Sequence, residues 1–274
     1  MPLKISTHGP SHGKCTICGA QGKLTEDHTP PKGCKKPTQV EMFHITERLT
    51  SSPAKTGGLF SQNGVKYRTI CGKCNNSMLG AKYDPPLITF VNDAASKLSS
   101  YGPLPNQLTI SAQPQAIMRS LIGHMSAQGV DRYAEGPMTE AVRDYFLDES
   151  VSLPVGLRFF YWAYPFRPQI MMRDASYLYV PSGSPFTFWL LKFFPVAFML
   201  TWDESPQFVC PVHSLHSLHS LDPWRDVPYA TTAKLPLVIA PLLPELWPEA
   251  PSKDTVILVG KEAVVANNLK RNKA

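Results

Sequence analysis

The sequence lacks two features of secreted and membrane proteins: an apolar stretch near its start and an uninterrupted apolar run long enough to span a bilayer. Residues 1–14, MPLKISTHGPSHGK, are polar and basic, so we expect a cytoplasmic protein. The most apolar stretch, Phe186–Trp202, is short for a span and carries Lys192 and Pro195 near its centre. Because a central charge is costly in lipid, we expect two buried strands that bend near Pro195, and no contact with a membrane.

Acidic residues are scarce in the first third of the chain. Residues 1–84 contain 12 Lys and Arg but only five Asp and Glu, whereas residues 85–274 contain 15 basic and 16 acidic residues. The net charge of +6 therefore arises in the segment that also holds five of the six cysteines. A basic surface of this kind attracts phosphate backbones whatever their sequence, although a merely soluble surface has a similar composition.

The composition otherwise describes a globular chain, with 43% hydrophobic and 18% charged residues. The 27 prolines favour short helices and strands. Apolar residues at three- and four-residue spacing predict helices within about 85–150, and aromatic and β-branched runs predict strands within about 151–260. We expect an α+β protein, with a small zinc-stapled domain over residues 1–84 and a mixed α+β domain of unassigned fold over residues 85–274.

Four cysteines form two Cys-x-x-Cys pairs, Cys15 with Cys18 and Cys71 with Cys74. In a reducing compartment such pairs bind metal and do not form disulfides. Four thiolates make a complete tetrahedral set for a structural Zn²⁺. The two pairs lie further apart than in a simple zinc ribbon, so a further segment is inserted between them.

Other residues with metal-binding chemistry have simpler explanations. The triplet repeat HSLHSLHSL places His213, His216 and His219 at regular intervals. These histidines could bind a second metal, but such triplets more often form a solvated loop. Cys34 and Cys210 are most simply free buried thiols.

The segment around the two pairs has a recognisable order. Strand-like GKLTE runs into Asp27-His28, strand-like KYRTI precedes the second pair, and Asn75 opens the helix-compatible run NNSMLGAKY. This order of strand, His-bearing turn, strand, cysteine knuckle and short helix resembles the HNH, or ββα-metal, nuclease family. The resemblance covers residues 15–84. This sequence departs from many family members one helical turn after Asn75, where Met78 and Leu79 replace a His, Asn or acidic residue. Asp84 lies further along the chain and could serve in that position only if the helix bends.

The resemblance implies a metal-dependent endonuclease that hydrolyses phosphodiester bonds, with DNA as the expected substrate. Asp27 and Asn75 would hold Mg²⁺ or Mn²⁺ through oxygen, and His28 would be the general base. Restriction, phage defence and mobile-element roles are all compatible with it. Three lysines that follow could contact phosphate: Lys32, Lys35 and Lys36.

Each of these residues also has a structural interpretation. Asp27 could be a helix cap or a surface charge, and His28 could be a loop residue or a substitute zinc ligand. Asn75 could be a turn or helix-capping residue, and Asn76 competes with it for the metal-binding role. The alternative to the nuclease is therefore a catalytically silent zinc module that binds nucleic acid or a protein partner.

Overall fold

The computed structural model describes residues 5–49, 58–100, 102–133, 137–180, 183–202, 216–250 and 253–269. The α-helices are α1 (Ile45–Leu49), α2 (Asp84–Leu98), α3 (Pro114–Ala127) and α4 (Pro137–Leu147), with a π-helix at Lys73–Tyr83 and a 3-10 turn at Asp222–Trp224. The strands are β1 (His12–Lys14), β2 (Gln21–His28), β3 (Val40–His44), β4 (Leu59–Ser61), β5 (Lys66–Cys71), β6 (Gln107–Ala112), β7 (Leu157–Ala163), β8 (Gln169–Tyr179), β9 (Ser184–Phe193), β10 (Val196–Trp202), β11 (His219–Ser220), β12 (Ala233–Val238), β13 (Thr255–Leu258) and β14 (Val264–Asn268).

The expected mixture of helices and strands is present, which confirms the α+β class. Helices α2, α3 and α4 lie in the region predicted to be helical, and α3 begins at Pro114, whose ring suits the first turn. Gly129 follows α3 with a φ of 91°, a conformation that favours glycine. The region also contains β6, which the helical prediction missed and which pairs with β12.

The apolar stretch Phe186–Trp202 forms β9 and β10, which pair antiparallel across a turn at Pro195. The prediction of two buried strands bent near this proline is confirmed. No helix among the described residues is long and apolar enough to cross a membrane. A further strand was predicted from QFVCPV, but residues 207–212 lie outside the described ranges.

Two sheets organise most of the molecule. The smaller has the order β1-β2-β5 and carries the first cysteine pair and Asp27-His28. The larger has the order β11-β7-β10-β9-β8-β14-β3-β4, with β13 also paired to β8. Strands β3 and β4 come from the insert between the cysteine pairs, yet β3 pairs with β14 near the other end of the chain. Segments on both sides of residue 84 therefore share one sheet.

Helix α3 lies at the centre of the molecule, and all its residues are buried. It contacts the π-helix, α2, α4 and strands of both sheets. At its end, the Thr69 hydroxyl on β5 donates to the carbonyl of Ala127 at 2.6 Å. Gly123 faces Leu79 so closely that an added Cβ would lie 2.5 Å from that side chain. This packing brings polar residues of α3 against the strand that carries Asp27.

Candidate zinc centre and active site

The four paired cysteines meet at one point. Their Sγ atoms all lie within 4.8 Å of one another, and this is the only group of three or more His, Cys, Asp and Glu ligands found among the described residues. A tetrahedral Zn²⁺ with bonds of about 2.3 Å needs sulfur atoms about 3.8 Å apart, and the Sγ atoms of Cys18 and Cys71 are 3.7 Å apart. That distance is far too long for a disulfide. The residues fit the predicted structural zinc.

Local backbone geometry prepares this site. The amide of Gly19 donates to the carbonyl of Cys15, and the amide of Cys71 donates to the Cys15 sulfur at 3.3 Å. Hydrogen bonds from the thiols of Cys18 and Cys74 lower the pKa of Cys15. Hydrogen bonds with Cys15 and Cys18 raise the pKa of Cys74. A bound cation would stabilise the thiolates that such a site requires.

A strand–strand–helix unit lies directly beside the cysteines. Strand β2 pairs antiparallel with β5, with Asp27 opposite Tyr67 and His28 opposite Lys66, and an irregularity follows Thr25. The chain then enters the π-helix at Lys73. The order of strands and helix expected from the motif is present, although this arrangement alone does not identify the HNH family.

Asn75 lies near the start of the π-helix and is oriented by β2. Its Nδ2 donates to the Thr25 hydroxyl at 3.0 Å and to the Glu26 carbonyl at 2.9 Å. Because both partners accept, the amide nitrogen must face β2, and the side-chain oxygen faces away from these two partners. Asn75 thus ties the π-helix to the two residues that precede Asp27.

Asp27 is buried, with 3% of its surface exposed. Its Oδ2 accepts from His124 Nδ1 at 2.8 Å, and the Thr29 hydroxyl approaches the same oxygen at 3.4 Å. The other ring nitrogen of His124 contacts Asp84 Oδ1 at 2.9 Å, and Ser120 donates to that oxygen at 2.7 Å. A buried chain of Asp27, His124 and Asp84 therefore joins β2, α3 and the start of α2.

The two carboxylates determine the charge of His124. Burial alone would lower its pKa, but the negative charges of Asp27 and Asp84 outweigh burial and raise the pKa to about 10. Burial likewise opposes ionisation of Asp84, yet the charge and hydrogen bond of His124 lower its pKa. The site therefore holds an imidazolium between two carboxylates at neutral pH.

His28 lies in a different environment from Asp27, the residue before it. Side chains alternate along a strand, and His28 borders a cavity with Lys35, Lys36 and Gly64, away from His124. Its Nε2 is buried and has no hydrogen-bond partner among the described residues. Burial and the charge of Lys32 lower the pKa of His28, so the ring is neutral at pH 7 and Nε2 is free to accept a proton.

The structure separates Asp27 from His28, whose side chains lie on opposite faces of β2, and it brings two of the predicted lysines to His28. Lys35 and Lys36 line the His28 cavity, whereas Lys32 is exposed nearby. Burial lowers the pKa of Lys35 to about 8. Asp27 contacts His124 and Thr29, and Asn75 contacts Thr25 and Glu26.

His124 is the main residue that the sequence analysis missed. It occupies an apolar, helix-forming run with no motif around it, and 1% of it is exposed. Asp84, which lies further along the chain than the family's ligand position and was expected to serve only if the helix bends, is its second partner. The buried position of a histidine on α3 could be inferred only from the packing of α3 against β2.

Cys34 is buried, as predicted, and burial raises the pKa of its thiol; Cys210 lies outside the described residues. In the histidine repeat, His219 Nε2 accepts from the amide of Val238 at 3.2 Å and its ring packs on Tyr161. His219 therefore has a structural role in the described part of the chain. His213 lies outside that part, and a second metal at the repeat stays a prediction.

Comparison of the chain with known proteins found no matching protein-family model, no matching curated protein and no matching solved structure.

Proposed function

We propose that the protein is a metal-dependent endonuclease that hydrolyses phosphodiester bonds of nucleic acid, with DNA as the substrate and His28 as the general base. The observation that carries the proposal is the environment of His28 at the end of β2, where Nε2 is buried and lacks a hydrogen-bond partner among the described residues. The His28 side chain borders a cavity that Lys35 and Lys36 also line. A free imidazole nitrogen beside cationic side chains suits proton abstraction next to a bound phosphate.

The reaction needs a water that loses its proton and a phosphate that gains negative charge. His28 would take the proton at Nε2, because its lowered pKa leaves the ring neutral at pH 7. Lys35 and Lys36 would hold the phosphate and stabilise the added charge. General-base assistance of this kind contributes about 10²–10⁴-fold to a rate.

A divalent cation, Mg²⁺ or Mn²⁺, would act as a Lewis acid on the phosphate and aid the leaving oxygen. Asp27 and Asn75 offer the oxygen ligands that such cations prefer. Asp27 Oδ2 is held by His124, and the Asn75 amide is held by β2. Each side chain thereby keeps one oxygen outside those contacts.

A second candidate is a zinc module that binds nucleic acid without cleaving it. The observation in its favour is the ion pair between Asp27 and His124. The positive charge of His124 already compensates Asp27 and opposes a second cation at the same carboxylate. Binding by Lys35 and Lys36 would need neither Asp27 nor His28.

Plasmid and oligonucleotide cleavage by the purified full chain, with and without Mg²⁺ or Mn²⁺, separates the two candidates. We expect metal-dependent cleavage that falls about 10²-fold or more in His28→Ala, with zinc content and nucleic-acid affinity unchanged. His12→Ala is the matched control, since His12 is an exposed histidine on β1, and it should cleave like the parent. Binding without cleavage in either metal would favour the silent module. Loss of zinc in His28→Ala would make His28 a structural ligand.

A further inference from the structure

A larger groove lies beside the His28 cavity and shares the lining residue Lys35 with it. The groove has about 510 Å³ of free volume, within the roughly 300–1,000 Å³ that ligand sites occupy. Its walls come from three places: the β7–β8 turn with Phe166 and Arg167, the β9–β10 turn with Phe194, and the end of β14 with Asn267 and Asn268. We call this surface the basic groove.

The charge of the basic groove is entirely positive. None of the residues that line it or the adjoining His28 cavity is acidic. Arg167 is exposed and has no acidic partner among the described residues. Lys35 lines both the groove and the His28 cavity. Such a surface attracts a polyanion and gives binding that weakens with salt.

Aromatic rings accompany the charge. Phe194 is 36% exposed at the β9–β10 turn, and Phe166 is half-buried against Tyr164. Phe194 and Arg167 line the same groove. Bases of an unpaired strand stack on rings in this arrangement, while cationic side chains follow the backbone.

Two asparagine side chains add hydrogen-bonding groups to the groove. Asn267 and Asn268 lie on the groove wall, and Asn268 Oδ1 accepts from the Thr38 hydroxyl at 3.1 Å. That contact ties the groove to the loop that carries Lys35 and Lys36. A strand lying in the groove would therefore lie next to the His28 cavity, and no acidic residue lines either one.

We propose that the basic groove binds an unpaired nucleic-acid strand and delivers its backbone to His28, so that the substrate is single-stranded at the cleavage site. This inference rests on the proposed nuclease function. In a duplex the base faces are stacked on their neighbours and cannot pack on Phe194, so a duplex gains only the charge contacts. The groove thus favours an unpaired strand over a duplex and does not discriminate between base sequences.

Fluorescence anisotropy with the full chain in the absence of Mg²⁺ and Mn²⁺ tests the inference, using a short single-stranded DNA, its duplex and the RNA of the same sequence as probes. We expect the single-stranded DNA to bind at least about tenfold more tightly than the duplex. Loss of one stacking ring in Phe194→Ala should weaken single-strand binding by about fivefold or more and leave duplex binding nearly unchanged. Phe60→Ala is the matched control, since Phe60 is 63% exposed and lines neither cavity.

A charge variant gives an independent measurement. Arg167→Gln should weaken both DNA probes and reduce the salt dependence, whereas Lys234→Gln, an exposed lysine on β12 outside the groove, should not. Circular dichroism and zinc content confirm that each variant is folded. Equal affinity for single strand and duplex, or parent-like binding by both groove variants, would overturn the inference. A selective single-strand RNA response would support the groove and shift the substrate from DNA to RNA.

Different experimental results would contradict the nuclease proposal and the groove proposal. The binding assay contains no catalytic metal, so it does not depend on cleavage. Single-strand selectivity that requires Phe194, without cleavage in any metal, would retain the groove and remove the nuclease. Metal-dependent cleavage that requires His28, without any effect of the groove variants, would retain the nuclease and remove the groove.

Discussion

His124 lies between two carboxylates that come from distant parts of the sequence. Its ring contacts Asp27 on β2 and Asp84 at the start of α2, and 1% of the residue is exposed. A buried charge is stable only when it is paired and hydrogen-bonded, and here each of the three groups satisfies the others. The same contacts hold Asp27 in one orientation, which would make His124 a positioning residue in the proposed reaction.

We expect His124→Leu to lower the free energy of unfolding by about 3–5 kcal/mol, because it leaves two buried carboxylates without a counter-charge. Ser120→Ala, which removes one hydrogen bond to Asp84, should cost about 1 kcal/mol. Urea denaturation measures both. The pKa of His124 is raised to about 10, so its stabilising charge is complete below pH 6.5 and disappears as the pH rises through 10.

The difference in stability between parent and His124→Leu should therefore narrow between pH 7 and pH 10. A difference below about 1 kcal/mol at pH 7, or one that stays constant with pH, would contradict the ion pair.

The sequence allowed the two cysteine pairs to be predicted as one cluster because their spacing is a local pattern. The ligands come from two turns whose geometry depends on nearby residues, such as the Gly19 turn after Cys15. His124 could not be predicted in the same way. Its partners are 97 and 40 residues away, and its role follows from the packing of α3, which no local pattern encodes.

Some strands and helices could be predicted from the sequence, and others could not. The β9–β10 pair was predictable because an aromatic and β-branched run is interrupted by Pro195. Helix α3 was predictable from its apolar spacing and from Pro114 and Gly129. Strands β6 and β12 are short and polar on one face, and they pair only with each other. Their pairing is non-local, so the surrounding sequence favoured helix or loop.

The cysteine pairs join two separate elements of the fold, because they connect the β1–β2 turn to the start of the π-helix. We expect Cys71→Ala to lose the zinc and to unfold at lower temperature, since three thiolates leave the tetrahedral site open. Cys34→Ala is the matched control, a buried cysteine outside the cluster whose loss should cost about 1 kcal/mol. Elemental analysis and thermal denaturation measure both. A Cys71→Ala protein that keeps about one zinc per chain would refute the four-cysteine site.

At the scale of the whole molecule, the segment with the nuclease-like motif is built into the rest of the chain. Strands β3 and β4, from between the cysteine pairs, extend the sheet formed by β7–β10 and β14. The basic groove combines Lys35 from that segment with Arg167 and Phe194 from the other part. The excess charge of residues 1–84 therefore describes only part of the proposed binding surface, and affinity for nucleic acid should require both parts.

The same arrangement predicts that residues 1–84 do not fold alone, even with zinc. The fragment would expose the face of β3 that pairs with β14 and would leave Asp27 and Thr69 without His124 and Ala127. It would also uncover buried side chains such as Leu79, which packs against Gly123, at about 1.5–3 kcal/mol for each large aliphatic group. We expect no cooperative thermal transition by circular dichroism for the zinc-loaded fragment, while the full chain unfolds cooperatively under the same conditions. A cooperative transition in the fragment close to that of the full chain would mean that the cysteine cluster and its ββα unit form an independent domain, and that the contacts with α3 and β14 add little to its stability.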